Sequence, residues 1–288
     1  MLIDGRKIAE DVLAGLKDRL ALYPDTPILC VFSVAPDAAT LQFTNIKKRT
    51  GEKIGVSVEL IELEKETSTE KLCEHLDESA GASDGIVVQL PLPPHIDFEK
   101  VREYIPASHD VDCLGAYADE QKVILAPVTA AFKKILEVLN VEYANKNIVI
   151  IGRGRLVGAP AAAFFESTGA RVVVCDETTQ DISVFTKEAD IIILGAGSPG
   201  LLKPNMIKEG VVILDAGTSV SPVGQESNGL RPRESGGKVV GDADSACAEK
   251  ALYMTPVPGG VGPVAVAMLF SNVVTLCENN AMSKEGFK

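Results

Sequence analysis

Short, nearly unbroken apolar runs alternate along this chain with segments whose apolar residues recur at helical spacing. Runs of strand length fall at residues 28–34, 56–63, 85–90, 147–151, 172–175, 191–194 and 211–214. Between them, 8–20, 41–54, 69–79, 130–139, 158–167 and 182–189 predict helices, and 264–276 predicts a closing helix. Strands alternating with helices imply βαβ units and mostly parallel sheets. Strands without polar alternation fit sheets covered on both faces. The rhythm pauses across 111–127 and restarts near Asn145. This pattern predicts two α/β domains with a cleft between them. The first is 1–140, completed by a C-terminal helix within 264–288; the second is 141–263, and a long helix around 130–139 connects them. The Gly-, Ser- and Pro-rich stretch 218–238 predicts an exposed loop.

Composition narrows the function classes. With 288 residues, 46% hydrophobic and 24% charged, the chain can bury two cores and keep a polar surface. No apolar run is expected to approach the length of a membrane span, and the start MLIDGRKIAEDV lacks a signal-peptide stretch, so the expected compartment is the cytoplasm. The net charge of -12 and the lack of a basic stripe argue against nucleic acid as a partner. Six separated cysteines with no CxxC pair predict buried thiols, and three histidines with no HxxxH or HExxH spacing predict no metal site. Two cationic clusters stand out: Lys47-Lys48-Arg49, and Arg153 with Arg155.

The segment NIVIIGRGRLVG runs an apolar strand into Gly152, Gly154 and Gly158, followed by the small-residue helix GAPAAAFFES. A tight turn at Gly152 and the absent side chain at Gly154 let backbone N–H groups approach a pyrophosphate at a helix N-terminus. That makes the second domain Rossmann-like, although GxGxxxG spacing also fits an ordinary βα turn. The next strand ends at Asp176-Glu177, where a carboxylate accepts from a ribose 2′-hydroxyl and repels a 2′-phosphate. NAD is therefore favoured slightly over NADP, with Arg153 pulling toward phosphate; the two acids also suit a solvated loop. The candidate cofactor-binding set is Gly152, Arg153, Gly154, Arg155, Val157, Gly158, Asp176 and Glu177, with Gly195 and Gly217.

In the first half, DGIVVQLPLPPHID places Gln89 at the carboxyl end of an apolar strand, where open α/β sheets bind ligands. An amide there can also simply pair with loop backbone. The segments TPVPGGVGPVAVAML (255–269) and VVQLPLPP (87–94) resemble the bifunctional methylenetetrahydrofolate dehydrogenase–cyclohydrolase family. So do HDVDCLGAY (109–117), IGRGRLVGAP (151–160) and VVGDAD (239–244), in the same order along nearly the whole chain.

The resemblance implies a folate pocket between the domains and a homodimer, formed through the nucleotide domain. Its general catalytic lysine falls on Lys47, the glutamine that orients it on Gln89, and the acid that reads the pterin on Asp112. Its substrate contacts fall on Thr40, Phe43, Pro91 and Leu92, and its glycine-rich wall beside the nicotinamide on Pro258, Gly259, Gly260, Gly262 and Pro263. The chemistry agrees. Hydride loss from a methylene bridge between two nitrogens is driven by their lone pairs and needs orientation above all. Hydrolysis of the resulting amidinium needs proton transfer, which suits a lysine of lowered pKa. Lys47 equally fits a solvated helix cation beside Lys48 and Arg49, but it shares a helix face with Thr40 and Phe43.

Several positions depart from the family. Phe43 stands where a tyrosine is usual, Ala265 replaces a threonine, and Cys113 replaces the glycine after the pterin-reading acid. The run Val128-Thr129-Ala130-Ala131 replaces a small polar run, Asp176-Glu177 replaces residues that help hold a 2′-phosphate, and the 218–238 loop is longer. The expected activity is oxidation of 5,10-methylenetetrahydrofolate with NAD(P), then hydrolysis to 10-formyltetrahydrofolate. The rival readings are a monofunctional NAD-dependent dehydrogenase and a non-catalytic folate- or nucleotide-binding paralogue.

Overall fold

The computed structural model describes residues 1–115, 123–220 and 239–285. The chain divides into two compact units: 1–8 with 128–265, and 9–127 with 266–288. The first eight residues and the segment 128–140 thus group with the nucleotide half and not with the first domain expected over 1–140.

In the second of these units, β1 (Ile28–Val34), β2 (Ser57–Leu63) and β3 (Gly85–Val88) form a parallel sheet in the order β2-β1-β3. Leu29 and Val31 of β1 and Val87 of β3 enter one apolar cluster, while Cys30, Phe32, Val34, Ile86 and Val88 enter the other. Both faces of β1 and β3 are covered, which is why these two read as apolar runs, whereas β2 leaves Ser57, Glu59 and Glu62 exposed. Most of α1 (Gly5–Leu20) and the whole of α2 (Ala38–Ile54), α3 (Thr69–Ala80) and α4 (Phe98–Glu103) belong here. Asp37 caps α2 by accepting from the Thr40 N–H at 2.7 Å, a bond worth about 1 kcal/mol. Gly55 ends that helix in the left-handed region at φ 93°. A side chain at Gly51 would come within 2.5 Å of Val58 on β2, so glycine there lets α2 lie close on the sheet.

The nucleotide unit holds β4 (Asn147–Ile151), β5 (Arg171–Cys175), β6 (Ile191–Leu194), β7 (Val212–Asp215) and β10 (Tyr253–Met254). They form a parallel sheet ordered β10-β7-β6-β4-β5; a short antiparallel pair, β8 (Ser219–Val220) and β9 (Val239–Val240), lies outside it. Leu2 bridges Met254, and the Ile3 N–H donates to the Met254 carbonyl at 2.9 Å, so the chain start extends this sheet. The remaining helices are α5 (Pro127–Val138), α6 (Gly158–Ser167), α7 (Ser183–Thr186) and α8 (Val261–Glu285).

The helices differ from expectation at their ends, for local reasons. Asp4 Oδ1 accepts from the N–H groups of Arg6 and Lys7, which starts α1 at Gly5 and not at residue 8. Proline is tolerated in a first turn, so α5 starts at Pro127 and α8 passes Pro263. Asp181 accepts from the Ser183 N–H, and the predicted 182–189 helix shrinks to one turn. The reading that no apolar run is long enough to span a membrane needs correction: Val261–Asn280 qualifies by length and composition. It is a core helix, with Leu269, Phe270, Val273 and Val274 buried in the first apolar cluster. Five of the six cysteines are buried as expected, and Cys113 is half-buried. Most of the 218–238 loop lies outside the described residues, as do Ala116 and Tyr117 of the HDVDCLGAY motif.

Candidate active site

Lys47 sits on α2 between buried and exposed faces. Thr40 and Thr44 are buried and Lys47 is half-buried, whereas Lys48 and Arg49 are exposed. Its ammonium donates to Gln89 Oε1 at 2.8 Å. The amide can turn only one way, because Gln89 Nε2 donates to the Leu90 carbonyl at 2.9 Å and leaves Oε1 for the lysine. The Gln89 N–H in turn donates to the Phe32 carbonyl of β1, so the end of β3 fixes the glutamine. Burial pushes the Lys47 ammonium below the usual lysine range, and the charge of Asp112 opposes that shift. Burial likewise raises the Asp112 carboxyl, with Lys47 opposing. The two groups therefore form one electrostatic unit, in which each charge stabilises the other where solvent does so poorly.

Asp112 stands in a loop tied down by residues that the sequence did not single out. Buried Asp110 accepts from the N–H groups of Leu114 (3.1 Å) and Gly115 (2.7 Å). Its carboxyl is raised to about 6 by burial, against the pull of those two bonds. Asn272 of α8, also buried, donates to the carbonyls of Val111 and Leu125, both at 2.8 Å. Cys113 takes a left-handed backbone at φ 55°, the conformation that explains the family's glycine at this place. The signal for Asp110 was present in the DVD of the HDVDC motif, but nothing in the sequence says which acid is structural.

Not every predicted substrate contact is placed alike. Phe43 is 51% exposed on α2, one turn from Lys47. Leu92 packs against the cluster of β1, β3, α3 and α4, while Pro91 is exposed and follows a cis peptide. In the nucleotide unit, Pro258 is exposed after a second cis peptide, and Pro263 is half-buried in the first turn of α8. Gly259 has φ 103°, and its carbonyl accepts from the Gly5 N–H at 3.0 Å. A side chain at Gly260 would come within 2.5 Å of the Pro256 carbonyl, so both glycines have packing reasons. Only Gly262 of this set opens onto empty space.

The glycine turn sorts in the same way. Gly152 has φ 103°, and a side chain on it would press on the Gly195 carbonyl at 2.5 Å. One at Gly158 would overlap the Gly152 carbonyl, one at Gly195 would meet Val157 at 2.5 Å, and one at Gly217 would overlap the Asp242 carboxylate. Gly154 alone has nothing within 4 Å of its missing side chain. A dinucleotide fits such a turn, since backbone is bared at the start of α6 and Arg153 and Arg155 are exposed beside it. Asp176 Oδ1 accepts from the Thr178 N–H (3.0 Å) and hydroxyl (2.6 Å), leaving Oδ2 for other partners. Those bonds, with a smaller contribution from Arg153, hold its carboxyl below the usual range. Glu177 is exposed. No cluster of potential metal ligands occurs among the described residues.

Comparison with known proteins bears on both units. The profile of the tetrahydrofolate dehydrogenase/cyclohydrolase catalytic domain matches residues 3–112, and that of the corresponding NAD(P)-binding domain matches 127–281. The bifunctional protein FolD of Hydrogenobaculum sp. is 34% identical, over 95% of this chain and 97% of that protein. The crystal structure of the bifunctional dehydrogenase/cyclohydrolase from Campylobacter jejuni superposes with a TM-score of 0.87 at 32% identity, covering 97% of this chain and 99% of that one. The Trypanosoma brucei enzyme, complexed with NADP and an inhibitor, gives 0.88 at 30% identity, covering 98% of both. This chain belongs to the tetrahydrofolate dehydrogenase/cyclohydrolase family.

Proposed function

We propose that the chain carries out both family reactions through the residues just described. It is a methylenetetrahydrofolate dehydrogenase and methenyltetrahydrofolate cyclohydrolase of one-carbon metabolism that uses a nicotinamide dinucleotide. The observation that carries the assignment of residues is the 2.8 Å bond from Lys47 to Gln89, beside an Asp112 that shares its electrostatics.

The dinucleotide, when bound, accepts the hydride lost from the methylene bridge. Gly154 and the start of α6 would hold its phosphates, and the Gly262 end of the 258–263 segment would leave room beside its ring. Asp112 binds the pterin, whose adjacent N–H groups present paired donors to one carboxylate. In hydrolysis, Lys47 in its neutral form takes a proton from the attacking water at Nζ and returns one to the departing nitrogen. Gln89 supports this by accepting from the ammonium and keeping the group oriented through both states. Burial lowers the Lys47 pKa and so eases loss of its proton relative to an ordinary lysine, the direction that suits a base.

NAD is the preferred cofactor in this reading, because Asp176 retains a free oxygen for a ribose hydroxyl and repels a 2′-phosphate. The assembly is a cytoplasmic homodimer, as the family resemblance implies, and the -12 charge supports a small-molecule partner over nucleic acid. A monofunctional dehydrogenase is the second reading, favoured by Phe43, which brings no hydroxyl near Lys47. Initial rates with methylenetetrahydrofolate and each nicotinamide cofactor separate the two. Reduced cofactor with onward conversion of methenyl- to 10-formyltetrahydrofolate is expected; accumulation of the methenyl product would favour the second reading.

A further inference from the structure

The loop that follows β6 is held by a carboxylate from elsewhere in the nucleotide unit. The N–H groups of Ala196 (2.7 Å) and Gly197 (3.0 Å) donate to Asp242 Oδ2, and that of Ser198 donates to Oδ1 at 2.7 Å. Three successive amides thus converge on one carboxylate, a concave arrangement of the kind that binds anions. Asp242 is fully buried, so these bonds act where solvent does not compete. The chain around it is shaped for this. Gly217 must be glycine, because any side chain there would overlap the Asp242 carboxylate. A second buried acid, Asp215 at the end of β7, accepts from the N–H groups of Gly217 (2.9 Å) and Ala243 (2.8 Å), and so fixes the segment bearing Asp242. Ser219 adds a bond from its hydroxyl to the Gly197 carbonyl at 3.0 Å.

The loop held in this way is the support of the glycine turn. Gly195 donates from its N–H to the Ile151 carbonyl at 2.9 Å. The space a Gly152 side chain would need is filled by the Gly195 carbonyl, and Val157 fills the corresponding space at Gly195. Displacement of 195–198 therefore moves the Gly152–Val157 backbone. We propose that Asp242 is a positioning residue for the dinucleotide: its grip on Ala196, Gly197 and Ser198 sets the glycine turn at the spacing the phosphates require. This rests on the reading that the dinucleotide lies along the Gly152–Gly158 turn.

Asp242→Asn tests it with little change of volume. The amide offers one acceptor and turns its NH2 toward an N–H that also donates, so the loop loses its register. The Michaelis constant for NAD or NADP should rise on the order of ten-fold, with kcat at saturating dinucleotide and the folate Michaelis constant near the parent's. Hydrolysis of methenyltetrahydrofolate, which consumes no dinucleotide, reports whether the variant is folded and should stay at the parent rate. A folded variant with an unchanged dinucleotide constant overturns the proposal. If Asp242→Asn does not fold, Ser219→Ala decides: a roughly two- to three-fold rise in the dinucleotide constant alone is expected from one lost bond, and no rise overturns the proposal. Gly154→Val probes the underlying reading. If it leaves dinucleotide binding intact, the cofactor site has been misplaced; if it weakens binding while the Asp242 and Ser219 variants do not, only the positioning role fails.

Discussion

The two halves of this enzyme build their sites by opposite means. The catalytic unit offers side chains: the Lys47 ammonium on a capped helix bonds the Gln89 amide at a strand end, and the Asp112 carboxylate in a loop and Lys47 oppose each other's shifts. The nucleotide unit largely leaves side chains out, at Gly152, Gly154, Gly158, Gly195 and Gly217, and holds the intervening backbone with buried acids. The difference teaches where each half is fragile. A site made of functional groups fails when a group is exchanged at constant volume. A site made of bare backbone tolerates changes of charge at its rim but fails when a single methyl group is added.

Gly158→Ala should break the nucleotide half most completely. The new methyl group overlaps the Gly152 carbonyl, so the turn must move, and displacements of an ångström cost about two orders of magnitude in rate. Dehydrogenase rate should fall by that factor while methenyl hydrolysis continues; equal loss of both activities would show that the halves are not separable.

Asp112→Asn should have the next largest effect, and in the other half. Folate affinity should fall about ten-fold or more, because the amide faces the pterin's donors with a donor of its own, while dinucleotide affinity holds. The pH profile carries a second signature. The Asp112 charge raises the Lys47 pKa, so removing it lets that pKa fall further, and the base limb of hydrolysis should move to lower pH. A profile that stays in place, or moves to higher pH, would uncouple the two groups.

The smallest effect is expected at the rim of the nucleotide site. Replacing Asp176 and Glu177 with serine should improve NADP use by roughly five-fold, the scale of an exposed charge pair. Arg153→Ala should harm NADP use more than NAD use. A parent enzyme that prefers NADP, with no response to the serine substitutions, would mean that both acids face solvent.

Much of this was legible in the residues because apolar periodicity and capping signals agree with the fold. β1, β4 and β6 coincide with their apolar runs, and α6 spans its small-residue segment without shift. The candidates Lys47, Gln89 and Asp112 were legible as motif residues, and the Lys47–Gln89 bond joins a helix to the end of a strand. What the sequence concealed depends on distant pairing. Met1–Ile3 joining the edge of the nucleotide sheet leaves no local trace, since a three-residue bridge has no periodicity. Asp110, Asp215 and Asp242 read as polar loop residues until their amide partners are seen, and only burial distinguishes them from solvated acids. Glycines at 152, 158, 195 and 217 suggested ligand contact, but the structure gives each a packing reason as well.

The division of labour is tested most directly by Lys47→Met, assayed for both reactions in one preparation. Methionine keeps the length and apolar stem of lysine on α2 but cannot carry a proton. Hydrolysis of methenyltetrahydrofolate should fall by about two to four orders of magnitude, and the melting midpoint should stay near the parent's. Hydrolysis at the parent rate in a folded Lys47→Met variant would make Lys47 a mere structural partner of Gln89 and would place the chemistry of the catalytic unit elsewhere.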